Sequence, residues 1–440
     1  MEDRNRRPEL SVVVVVYNMA REAPRTLYSL SAAYQRHIAA DDYEIIVVDN
    51  GSTPPLDAEM VAALDGNFRL VRLDPAPPSP ARAVNRGLAE ARGRTIGVMI
   101  DGARIVTPGF LHFARHGVGL YPRAVVITLG WYLGRDYQRW SIESGYNQDS
   151  EDRLLASIAW PQDGYRLFEI GAFDESSVDG WFSRIAESNG LFLRRESWDL
   201  LGGLDERFDQ PGGGFLNLDT FMRAAELPDS EFVILLGEAS FHQLHGGIAT
   251  NADYRTFRPT LAKWQAQYEA IRRRPWAEPS PRNRTYLGTL PPATLVHFAR
   301  SVIEPVRGLP LGPSFDQTLW SLTPSPRPIN PVCAALLDLA ESEFRERRFA
   351  AAAAVARMAR DVSPQEVAPQ RLLTHAGMWL PHGDPPEDRR VEVHLARGKA
   401  YRLLGDTSAA NAEFQALLAI DPDHEAARSE LAVFAHARRT

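Results

Sequence analysis

Cysteine is almost absent: Cys333 stands alone, so no intrachain disulfide can close and no thiolate metal site can form. That suits a reducing compartment. Long apolar runs are missing as well. The run Val12–Tyr17 falls far short of the roughly 18 residues a membrane span needs. The first residues, MEDRNRRPEL, are charged and lack the apolar stretch of a secretory leader. The expectation is a cytoplasmic protein, with peripheral attachment at the inner face of a membrane left open. A basic excess is lacking too. With 49 Lys and Arg against 56 Asp and Glu, the net charge is -7, which speaks against a nucleic-acid partner held through phosphates. What is present is an ordinary globular balance, 44% apolar and 24% charged, enough to build a core. At roughly 150 residues per domain, 440 residues suggest two or three domains.

The first half alternates short Val- and Ile-rich runs with amphipathic stretches. The runs are Ser11–Tyr17, Glu44–Asp49, Arg69–Asp74, Thr95–Asp101, Ala124–Gly130 and Phe232–Gly237. Such runs suit strands buried on both faces of a parallel sheet. Between them, Arg21–His37 carries Leu27, Leu30, Ala33 and Tyr34 at helical spacing, and Pro80–Arg92 carries Ala83, Val84, Gly87, Leu88 and Ala91. The expected fold is therefore α/β, a mostly parallel sheet covered by helices. Ligands in such sheets bind at the carboxyl ends of the strands. Here those ends are Tyr17-Asn18, Asp49-Asn50-Gly51-Ser52 and Asp101-Gly102.

From about Arg274 to Pro331 proline is dense and periodicity weakens, which reads as a wrapping segment and linker. An Ala-, Leu-, Arg- and Glu-rich helical region follows. Windows of about 34 residues starting at Cys333 and Val391 align Ala352 with Ala410 and Pro364 with Pro422; the second also carries Gly398, Tyr401, Gly405 and Phe414. This pattern resembles the tetratricopeptide repeat, which implies stacked helix pairs with a concave surface for a protein partner or for self-association. A plain helical hairpin fits the same residues. The expected domains are 1–273, a linker over 274–331, and 332–440.

Several polar residues sit where chemistry is expected. Asp49, at a strand end, can accept the imide N–H of a uracil or thymine ring, or simply make an Asx turn with Asn50-Gly51-Ser52. Asp101 offers a hard oxygen ligand for Mg2+ or Mn2+ beside a diphosphate, or a turn. Asp219, early in a helix after Gly212-Gly213-Gly214, can cap that helix or act as a general base. His242 and His245, at the end of the strand from Phe232, can ligate a metal or hydrogen-bond within the loop of Gly246-Gly247. Glu187, Ser188 and Asn189 precede a strand, Leu191–Arg194, and either line a ligand pocket or form a loop.

In order, these pieces are Tyr17-Asn18, Asp49-Asn50-Gly51-Ser52, Asn85-Arg86-Gly87-Leu88, Asp101-Gly102, Gly202-Gly203-Leu204-Asp205-Glu206-Arg207-Phe208, Asn217-Leu218-Asp219 and His242. Together they resemble the family 2 glycosyltransferases, of GT-A fold, over roughly residues 9 to 250. The resemblance implies a nucleotide base held by Tyr17, Asn18 and Asp49, with Arg82 and Asn85 flanking the nucleotide. It implies ribose and metal–diphosphate contacts at an Asp-x-Asp motif, and a later acidic pair supplying the base. Two departures stand out. The first motif reads Asp101-Gly102-Ala103, lacking its second carboxylate, and the acidic pair keeps only Asp219.

The reading is an inverting nucleotide-sugar glycosyltransferase. A UDP- or dTDP-sugar is the donor, and the acceptor is a hydroxyl of a glycan, lipid-linked sugar, protein or small molecule. Asp219 is the general base, and a divalent Mn2+ or Mg2+ sits on Asp101 with His242 and His245, or Arg104 neutralises the diphosphate instead. The alternative is a non-catalytic sugar- or nucleotide-binding scaffold with a degenerate transferase domain, which the alanine at 103 keeps open.

Overall fold

The computed structural model describes residues 7–134, 138–143, 146–174, 176–177, 180–182, 185–247, 254–277, 284–306, 330–346, 348–363, 369, 372–373 and 387–437. The chain divides into two compact units, 1–322 and 323–440.

In the first unit the elements run β1 (Leu10–Val16), α1 (Ala23–Ser29), β2 (Tyr43–Asp49), α2 (Ala58–Ala62), β3 (Phe68–Arg72), α3 (Ala81–Glu90), β4 (Thr95–Met99), β5 (Arg104–Val106), α4 (Phe110–Leu120) and β6 (Ala124–Leu133). There follow α5 (Gln138–Glu143), α6 (Gln148–Ser157), α7 (Leu167–Ile170), β7 (Gly171–Phe173), β8 (Leu191–Arg194), α8 (Arg195–Leu201), α9 (Leu216–Glu226), β9 (Glu231–His242), α10 (Tyr254–Arg272), β10 (Arg284–Gly288) and α11 (Leu295–Val306). Among the described residues, ten strands form one sheet of order β10-β9-β6-β8-β4-β1-β2-β3, with β5 on β9 and β7 on β6. The pairings β1–β2, β1–β4, β2–β3, β6–β9 and β9–β10 are parallel, and β8 runs antiparallel between β4 and β6. The mostly parallel, helix-flanked sheet expected from the run pattern is thus the one observed, followed by a helical region.

Period-two side-chain alternation explains why unbroken valine runs work here. In β1, Val13 and Val15 join one apolar cluster while Val12, Val14 and Val16 join the other; in β2, Ile46 and Val48 divide in the same way from Ile45 and Val47. Both faces are covered, so every residue of these strands is buried. The expected helix over Arg21–His37 is shorter. It ends at Ser29, where the side chains of Ser29 and Ser31 turn back onto the carbonyls of Thr26 and Tyr28, and His37 adopts a left-handed conformation. The Pro-rich stretch supplies β10, paired with β9, and α11.

A buried carboxyl sits under this sheet. Glu238 on β9 is 0% exposed and accepts from Thr107 Oγ1, the Gly109 amide (3.1 Å) and Tyr165 Oη (2.8 Å). Burial pushes it from its ordinary 4.5 up to about 7, against the pull of those donors. The unfolded carboxyl ionises above 4.5, while the native one stays protonated until about 7. Stability is therefore lost as pH rises through that window and is constant above it. Glu238→Gln copies the protonated form. It is expected to flatten this slope and to exceed wild type at pH 8 by up to about 3 kcal/mol, read from urea midpoints at pH 5 and pH 8.

The second unit holds α12 (Pro331–Arg345), α13 (Phe349–Val362), α14 (Glu387–Leu403), α15 (Thr407–Ile420) and α16 (Glu425–Ala437). Consecutive helices pack, and α12 also packs on α14. Small residues permit this. A side chain on Gly398 would meet the Phe414 ring at 2.4 Å, so its absence lets α15 lie against α14. Gly405, with φ of 78°, makes the turn, and Asp406 caps α15 by accepting from the Ala409 amide. Pro364 of the first repeat window lies outside the described residues.

Candidate active site

β5 is only three residues long, yet it organises the site. It pairs antiparallel with the end of β9, with Arg104 opposite His242, and the Gln243 amide donates to the Ala103 carbonyl oxygen. This brings the carboxyl end of β4 to the histidine loop. His242 Nε2 lies 2.9 Å from Asp101 Oδ2, His245 Nε2 lies 3.7 Å from Asp101 Oδ1, and the two Nε2 atoms are 3.1 Å apart.

Gln138 Nε2 donates to the His242 carbonyl oxygen (2.8 Å), which turns Gln138 Oε1 toward His242 Nδ1 (2.7 Å). Nδ1 must then carry the proton, leaving Nε2 of a neutral ring as a bare acceptor. Burial pushes His242 down to about 4, although the Asp101 carboxylate pulls the other way, so the ring is neutral at pH 7. For Asp101, burial pushes upward but is outweighed by His245, His242 and Arg104, and its carboxyl lies well below the usual range. A carboxylate and imidazole nitrogens whose lone pairs converge within 4.8 Å form a donor set that a divalent cation satisfies. The residues present therefore fit a metal.

The missing second carboxylate of the Asp-x-Asp pattern has a physical reason. Ala103 is 0% exposed and belongs to the apolar cluster on one face of the sheet, so position 103 faces the core. Gly102 is equally constrained, because a Cβ there would stand 2.5 Å from the Val15 carbonyl oxygen. His242 and His245 bring their ring nitrogens beside Asp101 instead.

Arg104, 3% exposed, extends the cluster. Its Nε lies 3.7 Å from Asp101 Oδ2 and its Nη1 lies 3.7 Å from Asp174 Oδ2, without a hydrogen-bond partner for Nη1 among the described residues. With its amide oxygen turned toward the guanidinium, Asn189 accepts from Arg104 Nε (3.2 Å) and Nη2 (3.1 Å). Ser188 Oγ donates to the Thr128 carbonyl oxygen (3.0 Å), and Asn217 Nδ2 donates to Glu187 Oε2 (2.9 Å). Sequence reading missed Gln138, Asp174 and Glu151. Glu151 is 0% exposed and accepts from the Leu244 amide (2.8 Å) and Arg21 Nη1 (3.1 Å), which anchors the histidine loop. Lone polar residues in irregular sequence carry no periodic signal to find them by.

The expected base-binding residues form a connected rim. Ser52 Oγ accepts from the Asn18 amide (2.9 Å), and Asn18 Oδ1 accepts from the Thr53 amide (2.8 Å). Asp49 is buried and accepts from the Ser52 (2.8 Å) and Leu56 (3.0 Å) amides, so the Asx-turn chemistry is present; Tyr17 is exposed. Arg82 is exposed on α3. Asn85 has other partners than expected. Its amide joins Leu204 (2.9 and 2.8 Å) and Glu206 (3.0 Å), and it lines an open polar pocket of about 480 Å³ with Gly202, Asp205, Arg207, Arg223 and Arg272.

Asp219, the residue expected to act as general base, sits among arginines. It is 1% exposed, and its oxygens accept from Arg223 Nε (2.9 Å), Arg272 Nε (2.5 Å) and Arg272 Nη2 (2.6 Å). Arg272 also meets Asp205 (2.8 Å), and Arg223 donates to the carbonyls of Leu201 and Gly203. Two guanidinium groups thus grip one carboxylate. Asp219 is the centre of a clamp that ties α9, α10 and the loop after α8 together.

Residues 11–111 match the model of "Glycosyl transferase family 2". Among solved structures, the chain is similar to the 1–349 fragment of S. aureus TarS, with 14% identity, 92% of this chain and 90% of that one covered, and a TM-score of 0.34. The same fragment in complex with UDP-GlcNAc gives 14% identity, the same coverages and a TM-score of 0.32. Glucosyl-3-phosphoglycerate synthase from Mycobacterium tuberculosis, in complex with Mg2+ and UDP, gives 18% identity, 62% and 81% coverage and a TM-score of 0.35. No curated protein matches the chain. Among the described residues, no helix is long and apolar enough to cross a membrane.

Proposed function

We propose that the chain is a nucleotide-sugar-dependent glycosyltransferase that moves a sugar onto an acceptor hydroxyl with inversion at the anomeric carbon. The observation that carries this reading is the convergence of Asp101, His242 and His245 beside Arg104, at the carboxyl end of a strand within the segment that matches the family model. Tyr17, Asn18 and Asp49 form the rim read as the base pocket, which suits a UDP- or dTDP-sugar.

In direct displacement, the acceptor oxygen bonds to the anomeric carbon as the bond from that carbon to the diphosphate breaks. Negative charge grows on the leaving diphosphate. A divalent cation held by Asp101, His242 and His245 would neutralise part of it, and imidazole ligation favours Mn2+ over Mg2+. Arg104 supplies a fixed, buried positive charge whose Nη1 is available for an anionic oxygen. Against the degenerate-scaffold alternative stand the buried, core-facing position of Ala103 and a three-residue group, Asp101, His242 and His245, that could hold a cation without it. The helical region from 332 is read as a tetratricopeptide-like unit for partner binding or self-association.

The test is a panel of nucleotide sugars, scored for thermal stabilisation and for release of nucleoside diphosphate in Mn2+, in Mg2+ and in chelator. A bound donor at 100 times its Kd adds about 2.7 kcal/mol. UDP- or dTDP-sugars are expected to stabilise the chain in a metal-dependent way. A panel in which no nucleotide sugar shifts the melting temperature would end this reading.

A further inference from the structure

The guanidinium of Arg104 reaches past the Asp101 cluster to a second carboxyl, Asp174, and stops short of bonding to it. We propose that Arg104 and Asp174 together hold a ring hydroxyl of a hexose on the donor, with Asp174 as a specificity-determining residue; this rests on the glycosyl-transfer reading above.

The first observation is a buried ion pair left open. Arg104 and Asp174 are 3% and 4% exposed. Their facing atoms, Nη1 and Oδ2, stand 3.7 Å apart, whereas a closed guanidinium–carboxylate bond measures about 2.7–2.9 Å. Nη1 carries two N–H bonds, and among the described residues it has no hydrogen-bond partner. Asp174 Oδ1 is occupied, accepting from the Ser176 amide (3.0 Å) and from Ser176 Oγ (2.6 Å), and the hydrogen bonds that Asp174 receives from described residues end there. A bare donor beside a bare acceptor, both shut off from bulk water, is satisfied by a group that accepts and donates at once. A hydroxyl does both, while a phosphate oxygen or an apolar group does not. The second N–H of Nη1 is left for the diphosphate.

The second observation is that the two side chains are anchored independently. Asn189 accepts from Arg104 Nε and Nη2. The Asp174 amide donates to the Gly130 carbonyl oxygen (3.0 Å), and the Gly130 amide donates to Ser177 Oγ (3.1 Å), which ties this loop to β6. A Cβ at residue 130 would stand 1.8 Å from Asp174 Oδ2, so glycine there makes room for the carboxyl. The third is position. Arg104 spans two carboxyls, with Nε 3.7 Å from Asp101 Oδ2 and Nη1 facing Asp174. In a nucleotide sugar whose diphosphate lies at Asp101, the sugar is the part that extends to the far end of this guanidinium. Two more buried hydroxyls lack partners among the described residues: Ser240 Oγ, on the residue paired with Gly130, and Thr128 Oγ1, which a Cβ on Gly190 would approach to 2.8 Å. A polyhydroxylated ring matches such groups, and an apolar ligand would leave them unmet.

The test uses the full chain in Mn2+ and calorimetry with UDP, UDP-glucose, UDP-galactose and the 2-acetamido forms of both sugars. Asp174→Ala is expected to bind UDP within about twofold of wild type and the tightest of the four donors about 10–100-fold more weakly. A structural role would weaken UDP and donor alike. The sharper readout is a series of deoxy analogues of that donor. In wild type, the analogue lacking the held hydroxyl is expected to bind about tenfold more weakly than its parent; in Asp174→Ala the same deletion is expected to cost less than about twofold, because its partner is already gone. Asp174→Asn keeps the shape, is expected to follow the same pattern with smaller losses, and serves if the alanine variant fails to fold. Donor affinity in the variants equal to wild type would mean that the gap holds only water, and overturns the assignment. Equal losses for UDP and donor, or deoxy effects that multiply with the substitution, overturn it as well. A wild-type chain that binds UDP and none of the four donors overturns the hexose site and leaves the nucleotide site standing. A wild-type chain that binds neither overturns the transfer reading, and this proposal with it.

Discussion

Asp219→Asn is expected to destabilise the folded chain by about 3 kcal/mol, measured as a shift in urea midpoint at constant slope. The substitution keeps the shape and removes one charge. In the native fold that charge, 1% exposed, receives three bonds from Arg223 and Arg272. Removing one partner of such a cluster leaves the opposite charges partly desolvated, which costs about 3–5 kcal/mol for buried pairs. The lower end applies because the two arginines keep 20% and 17% exposure and Arg272 retains Asp205. A general-base role makes a different forecast: a large loss of kcat with little change in stability. Measuring both quantities on one sample separates the clamp from the base.

Ala103→Asp is expected to be more damaging still. On paper it restores a second carboxylate to Asp101-Gly102-Ala103 and should strengthen metal binding. In the fold, Ala103 is 0% exposed among the apolar side chains of its cluster, and its carbonyl is committed to the Gln243 amide. A charge placed there has neither water nor a cation within the apolar cluster, and the penalty is on the order of 4 kcal/mol or more even when the group protonates. The expected outcome is poor recovery of folded protein, or a melting temperature many degrees lower, with no gain in Mn2+ affinity. A stable variant that binds Mn2+ more tightly would show that position 103 opens into the site.

These two residues also show how far the sequence carries. The long valine runs were legible because parallel strands buried on both faces need no polar alternation, so β1, β2 and β4 stand out unaided. Asp101, His242 and His245 were each recognisable as ligand types. Their convergence was expected only from the family resemblance; the residue pattern alone does not show it, because it depends on β5, whose three residues are too few for any period, pairing with the far end of β9. The antiparallel insertion of β8 between β4 and β6 is likewise a choice of partner that a one-dimensional pattern does not encode. The sequence shows the helix that carries Asp219 and hides its partner Arg272, 53 residues away. β10 was concealed by the surrounding prolines: an edge strand pairs on one side only and tolerates weak patterning.

The central claim is that Asp101 and the two histidines hold a divalent cation against a nucleoside diphosphate. Calorimetric titration of UDP into wild type and Asp101→Asn, each in Mn2+ and in chelator, tests it most directly. The account predicts that wild type binds UDP at least about tenfold more tightly in Mn2+ than in chelator, a difference of about 1.4 kcal/mol, and that Asp101→Asn loses this increment. Equal UDP affinity in all four titrations would contradict it.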